Sequence, residues 1–376
     1  MTTNLVLAPC REAARSDLLE RRLRRYHPRF REAVHALAMS HSRIADLAVS
    51  FPALLFALAV PRRGLDPAPA LARVIQGRTL AEVAVAADVP MWLRKLPPEA
   101  LARPMMRLPD GELFRRQIAN HFPRSPKLMP IWLQAVADVA DLAHESAAVW
   151  IAREIVRLPR RRVTRLRLIS LWIWFSCRSG TFGHELIDRP WTPDMRFGQV
   201  LAAALDWRTS VELYVNAGRQ PITDMWLQAG RVAGYDFLPL SSTAVIAGEA
   251  HAMRNCLRTY GYSLAHNHSR LWSIRRDGER VATLEVASHQ PLLNIVEIKG
   301  PGNADAPREL WLAARQWLNT HDLSQIKVER PKWDTAKLDR STWLSLWRPY
   351  WLEKRRIPEW LPIAPSRKAL GALEAM

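Results

Sequence analysis

Glu249, Met253, Cys256 and Tyr260 are separated by four, three and four residues. At about 100° per residue, one helix through them would gather all four side chains within roughly 60° of its circumference. A carboxylate, a thiol and a phenol on one stripe are the parts of an acid/base pair or of a nucleophilic cysteine, provided that a base or a depressed pKa activates the thiol. On the same wheel His251, Arg254, Asn255 and Arg258 fall on the opposite, polar side. A carboxylate on the stripe needs a partner or a wet pocket, because burying an unpaired charge is costly. Met, Cys and Tyr at helical spacing also suit ordinary core packing, and that alternative stays open here.

The elements that would position these groups are legible around them. Ser241 or Ser242 can cap a helix running to about Tyr260, with Gly261 stopping it. Asp277-Gly278 between Leu271–Arg276 and Arg280–Ala287 is the two-residue hairpin signal. The register from that turn sets Ile274 opposite Val281, Trp272 opposite Thr283 and Arg270 opposite Glu285, which allows a cross-strand Arg270–Glu285 ion pair. Thr283 and Glu285 would then face the helix stripe and bring a second carboxylate near Cys256 and Tyr260. Leu293–Lys299 reads as a third strand, Pro301-Gly302-Asn303 as a loop, Arg308–Asn319 as a helix and Ile326–Val328 as a short fourth strand.

These residues resemble the PcfJ-like family found on conjugative plasmids, in phages and in bacterial chromosomes. Glu249, Met253, Cys256 and Tyr260 match its first block, Ser273-Ile274-Arg275 a strand, Thr283-Leu284-Glu285 the next, and Gly300 and Asn303 the last. The similarity covers about 64 residues, 240–303. The chain departs from the pattern at Ala250 for Gly, Asn255 for His, Glu297 for Gln and Lys299 for Arg. A His-Cys pair is therefore missing, and His251, His266 and His268 could replace the imidazole only through the fold. The resemblance carries no established reaction, and its association with plasmid transfer implies work near DNA.

Upstream, residues from about Arg11 to Gly234 read as successive helices with Pro-bearing breaks, among them Pro28, Pro61, Pro97-Pro98 and Pro159. The expected fold is α+β overall and mostly α. It comprises a basic helical region over 1–236, a PcfJ-like α+β domain over 237–332 with a helix on a three- to four-stranded antiparallel sheet, and a Trp-rich helical extension over 333–376. Trp343, Trp347 and Trp351, every four residues, fit either a buried helix face or, with Lys354, Arg355 and Arg356, a platform for single strands.

The 376 residues hold 54 Lys+Arg against 36 Asp+Glu, a net charge of +18 that excludes neither half of the chain: +12 over 1–238 and +6 over 239–376. This basic field suits a polyanion, most naturally nucleic acid, DNA or RNA. Arg21, Arg22, Arg24 and Arg25, then Arg157, Arg160, Arg161, Arg162 and Arg165, are the expected phosphate contacts, with Lys299 beside the last motif. Glu20, Glu32 and Glu154 are the acids that could neutralise those clusters instead. Three separated cysteines argue against a disulfide framework or a zinc site. No Gly-rich phosphate loop is present, so no nucleotide cofactor is expected; a divalent metal on paired carboxylates is left open. The apolar windows fall below the ~18 residues of a membrane span, and no secretory signal is read, so a cytoplasmic protein without membrane contact is expected.

The reading that joins these features is a nucleic-acid-associated accessory protein of a mobile element. Two others stand beside it. One is an enzyme acting on nucleic acid or nucleotide through Glu249, Cys256, Tyr260, Thr283, Glu285 and Asn303. The other is a structural or protein-interaction module whose stripe is core.

Overall fold

The computed structural model describes residues 17–118, 122–158, 165–289, 292–329 and 340–355, and these form two units. The first contains residues up to Trp174 together with Trp191–Leu201; the second contains Phe175–Pro190 and the chain from Ala202. The fold is α+β, mostly helical, with one antiparallel sheet toward the C-terminus.

In the first unit the helices are α1 (residues 17–23), α2 (Pro28–Ser40), α3 (Ser42–Ser50), α4 (Pro52–Ala59), α5 (Ala68–Ile75), α6 (Leu80–Ala86), α7 (Glu112–Ile118), α8 (Met129–Leu142) and α9 (Glu145–Glu154). Proline sits in the first turn of α2, α4 and α8, where its missing N–H costs no helical bond. Histidines serve as caps: the side chains of His27, His41 and His144 accept backbone N–H bonds at the starts of α2, α3 and α9. Thr79 and Glu82 close a reciprocal capping box on α6. The segment Pro52–Leu58 is buried on all sides, which is why its sequence has no polar face. Two further helices, α10 (Leu166–Ser176) and α12 (Phe197–Ala217), flank the short α11 (Phe182–Glu185).

The sheet of the second unit has five strands in sequence order: β1 (Gly230–Val232), β2 (Tyr235–Pro239), β3 (Ser269–Arg276), β4 (Glu279–His289) and β5 (Leu292–Lys299). The first two form a hairpin where no strand is expected, β1 falling inside the stretch read as helical. Their short length and the Pro239 terminus hide the period-2 signal. The expected strand at Ile326–Val328 is irregular chain. Between β2 and β3 lie α13 (Thr243–Met253) and α14 (Gly261–Ala265). After β5 come α15 (Arg308–Leu318) and α16 (Arg340–Lys354).

Each sheet face has its own cover. Leu310, Ala313, Ala314 and Trp317 of α15 pack on Phe237, Trp272, Ile274, Ala282, Leu284 and Val286, with the Phe237 and Trp317 rings stacked at 4.7 Å. On the other face Leu240 and Leu271 meet Ile246, Ala250, Leu257, Leu264 and Leu213 of α12.

The β3–β4 register corrects the expected pairing. Asp277 and Gly278 both have positive φ, at 50° and 86°, as a two-residue hairpin turn requires. Arg276 pairs with Glu279 and Arg275 with Arg280 as the turn dictates, but Ile274 then pairs with Ala282. Val281 is the extra residue of a β-bulge, and Val281 and Ala282 both contribute to the core under α15. Beyond it Trp272 opposes Leu284, Ser273 opposes Thr283, Leu271 opposes Glu285 and Arg270 opposes Val286. Without the slip, Thr283 and Glu285 would lie on the apolar face with Trp272, and burial of Leu284 and Val286, worth about 1.5–3 kcal/mol each, would be lost.

In α16, Trp343, Leu346, Trp347 and Tyr350 are buried, and Trp347 and Tyr350 pack on Phe175. The tryptophan repeat there is a core face. Trp333, Trp360 and Arg356 lie outside the described residues.

Candidate functional site

Ser242 caps α13 through a bond from the Val245 N–H, but the helix ends at Met253 and does not reach Tyr260. Arg254 adopts the left-handed region, φ 50°, and the Asn255 N–H turns back to the Ala250 carbonyl at 3.2 Å. A short 3-10 turn, Leu257–Tyr260, follows. Gly261 does not stop a helix; it begins α14 with helical φ and ψ. Its role is close packing: a Cβ there would lie 2.9 Å from the Leu213 Cα and 3.0 Å from the Glu212 carbonyl oxygen.

This break divides the expected stripe. Met253 is core, and Glu249, 1% exposed, sends its Oε2 to the Nε of Arg280 at 2.7 Å. Cys256 is exposed, and Tyr260 turns toward the sheet. Two residues expected on the polar side face inward. Asn255 donates from Nδ2 to Thr283 Oγ1 at 3.0 Å, and Arg258 is buried, bonded to Asp206 Oδ2 at 2.5 Å and Asp188 Oδ2 at 3.2 Å.

The turn and the sheet face enclose a small polar site. Thr283 and Glu285 on β4 pair with Lys299 and Glu297 on β5, and all four side chains lie on the face covered by Asn255–Tyr260. The Tyr260 hydroxyl donates to Glu285 Oε2 at 2.9 Å, with Glu297 Oε2 at 3.4 Å. Lys299 Nζ lies 3.6 Å from Glu297 Oε1 and 2.8 Å from Asp305 Oδ1. Asn303 accepts the Cys256 N–H at 3.3 Å through its Oδ1. Thr283, Glu285, Cys256, Tyr260, Asn303 and Lys299 thus meet in one place, while Glu249 stands apart with Arg280.

The site is a shallow, half-open depression with room, about 20 Å³, for one water. Burial, followed by the charge and hydrogen bond of Glu285, pushes the Tyr260 phenol far above its ordinary value, so it is a fixed proton donor over the physiological range. No hydrogen bond reaches the Cys256 thiol among the described residues, and no imidazole stands beside it. His251 lies 3.6 Å from Asp188, and His266 and His268 cluster with Tyr262. Among the described residues the nucleophile–base contact of cysteine catalysis is not formed. Among the described residues no group of three or more His, Cys, Asp or Glu is arranged to hold a metal ion.

The expected Arg270–Glu285 ion pair is absent because the bulge moves the register. Arg270 is buried, bonds the Asp224 carbonyl oxygen at 2.6 Å and Asn267 Oδ1 at 2.5 Å, and lies over the Trp226 ring. Nothing in the sequence analysis assigns a role to Glu297 or Arg258. Glu297 was accessible from strand alternation, since Glu297 and Lys299 share a face; Asp188 and Asp206 are too remote in sequence to be linked with Arg258.

The two arginine clusters differ. Glu20, the acid nearest the first in sequence, is bonded to His35 at 2.8 Å. Arg21 and Arg24 are exposed and Arg22 half-buried, and none has an acidic partner among the described residues. Arg25 is held by both carboxylate oxygens of Glu99. In the second cluster Arg157 pairs with Glu154, whose other oxygen accepts the Phe197 N–H. Arg165 is exposed, and Arg160, Arg161 and Arg162 lie outside the described residues.

Comparison of the chain with protein-family models, curated proteins and solved structures gives no match. No helix among the described residues is long and apolar enough to cross a membrane.

Proposed function

We propose that this protein is a nucleic-acid-associated accessory protein of a mobile genetic element that binds phosphates through arginines of its helical unit and catalyses no reaction at the Tyr260 site. The observation that carries the reading is the state of Arg21, Arg22 and Arg24. Arg21 and Arg22 lie on α1 and Arg24 in the turn that follows it, and none has an acidic partner among the described residues, where Glu20 is engaged by His35 and Glu99 by Arg25. Unneutralised guanidinium groups on a chain of net charge +18 are what a polyanion partner requires. The residues shared with the PcfJ-like pattern support the mobile-element context. A shallow depression with room for one water, and a thiol with no base beside it among the described residues, support binding over catalysis. The exposed Cys256 thiol, outside any disulfide, suits a reducing cytoplasm.

The test is binding of the whole chain to single-stranded DNA, duplex DNA and RNA, with the same mixtures resolved for altered product. Salt-sensitive binding with unchanged nucleic acid is expected. Cleaved or modified strands, lost in Glu285→Gln or Cys256→Ser, would overturn the non-catalytic reading.

A further inference from the structure

Arg275 and Arg280 stand directly opposite each other on β3 and β4, one pair away from the hairpin turn. Like charges at such positions repel and destabilise a hairpin. Each guanidinium is nevertheless held from behind: Arg275 Nε donates to Ser273 Oγ at 3.3 Å, and Arg280 Nε donates to Glu249 Oε2 at 2.7 Å. Their terminal NH2 groups have no partner among the described residues, and both side chains reach solvent. Both lie on the sheet face that α13 covers, since Arg275 bonds Ser273 two residues along and Arg280 bonds Glu249 of α13.

Glu249 is the costly member of this arrangement. Its carboxylate is 1% exposed, Oε1 has no hydrogen-bond partner, and Oε2 is used on a single Nε–H. Burying a charge that incompletely is unfavourable, and an apolar residue there would serve packing better. What the carboxylate does accomplish is to fix the orientation of Arg280. Two guanidinium groups on opposed strands, each anchored through Nε, offer the donors that the oxygens of one tetrahedral anion accept.

We propose that Arg275 and Arg280 form a clamp for a phosphate group, with Glu249 as the buried residue that positions Arg280. The site is distinct from the arginines of α1 and lies in the other unit. Its assignment to a backbone phosphate rests on the nucleic-acid reading, whereas the clamp itself rests on the hairpin geometry.

Glu249→Gln provides a test whose sign separates positioning from bulk charge. The substitution makes the protein more positive, so electrostatics alone would tighten binding of any polyanion. The clamp predicts weaker binding, by about threefold or more, together with a salt slope shallower by about one phosphate contact. Arg280→Lys, which keeps the charge and loses the fork, should weaken binding similarly, and Arg275→Gln/Arg280→Gln should weaken it further. Urea unfolding of each variant establishes that the chain is folded. Titration with inorganic pyrophosphate in parallel separates the phosphate source. Loss of pyrophosphate binding in the variants, with nucleic-acid binding absent or unaltered, would retain the clamp and remove the strand as its ligand. Folded Glu249→Gln and Arg275→Gln/Arg280→Gln proteins that bind both probes as the parent does, or more tightly, would overturn the proposal.

Discussion

Glu285 and Glu297 face each other across β4 and β5, and the hydroxyl of Tyr260 lies 2.9 Å from one and 3.4 Å from the other. Opposed carboxylates destabilise a strand pair, and the phenol proton offsets that repulsion while Lys299 approaches Glu297 from the far side. Tyr260 thereby ties the turn after α13 to the sheet.

Removing that hydroxyl should leave the two carboxylates facing each other unbridged. Tyr260→Phe is expected to destabilise the protein by about 1–3 kcal/mol in urea unfolding, and adding Glu297→Gln should restore part of the loss. Equal effects of Glu297→Gln in the presence and absence of the tyrosine hydroxyl would contradict this coupling.

The same contact sets an alkaline limit. Burial and Glu285 raise the Tyr260 pKa in the folded state, so the unfolded chain loses the phenol proton first. The stability this contributes is fully present below the ordinary phenol value, about 10, and is lost as the pH rises above it. Parent and Tyr260→Phe should therefore converge above about pH 10, by up to roughly 1.4 kcal/mol per pH unit, when unfolding is followed across that range. Parallel curves would place the phenol in ordinary solvent.

Arg258 carries an asymmetric expectation. Its side chain is 10% exposed, whereas Asp188 and Asp206 are 52% and 56% exposed. Arg258→Met leaves two acids that water can solvate and should cost about 1 kcal/mol. Asp188→Asn with Asp206→Asn leaves a buried cation without an anion and should cost about 3 kcal/mol or more. Unfolding midpoints of the two variants give the order directly.

Local signals in the sequence survive in the structure where the chemistry is local. Ser242 caps its helix, Asp277-Gly278 makes its turn, and Arg308–Leu318 forms the helix read from its periodicity. The misses around the site share one cause, tertiary packing acting against a local rule. Helical spacing continues through Arg254, yet the chain turns there so that Asn255 can bond Thr283 and Tyr260 can reach Glu285. Gly261 resembles a stop signal and instead lets the chain approach α12. The bulge at Val281 has no mark in the residues themselves and follows from keeping Leu284 and Val286 under α15. Six of the candidate residues still converge, because β4 alternation and the turn after α13 survive both corrections. Glu249 separates because its place on the stripe depended on an unbroken helix.

The most direct measurement for the central claim is the salt dependence of nucleic-acid affinity, compared between the parent and Arg21→Gln/Arg22→Gln/Arg24→Gln. Glutamine keeps helix propensity close to that of arginine, so α1 should persist. If the three arginines meet phosphates of a duplex, the slope of log K against log salt should become shallower by about 2–3 units. Binding no tighter than that of a charge-matched basic protein, or an unchanged slope in the triple variant, would contradict the account.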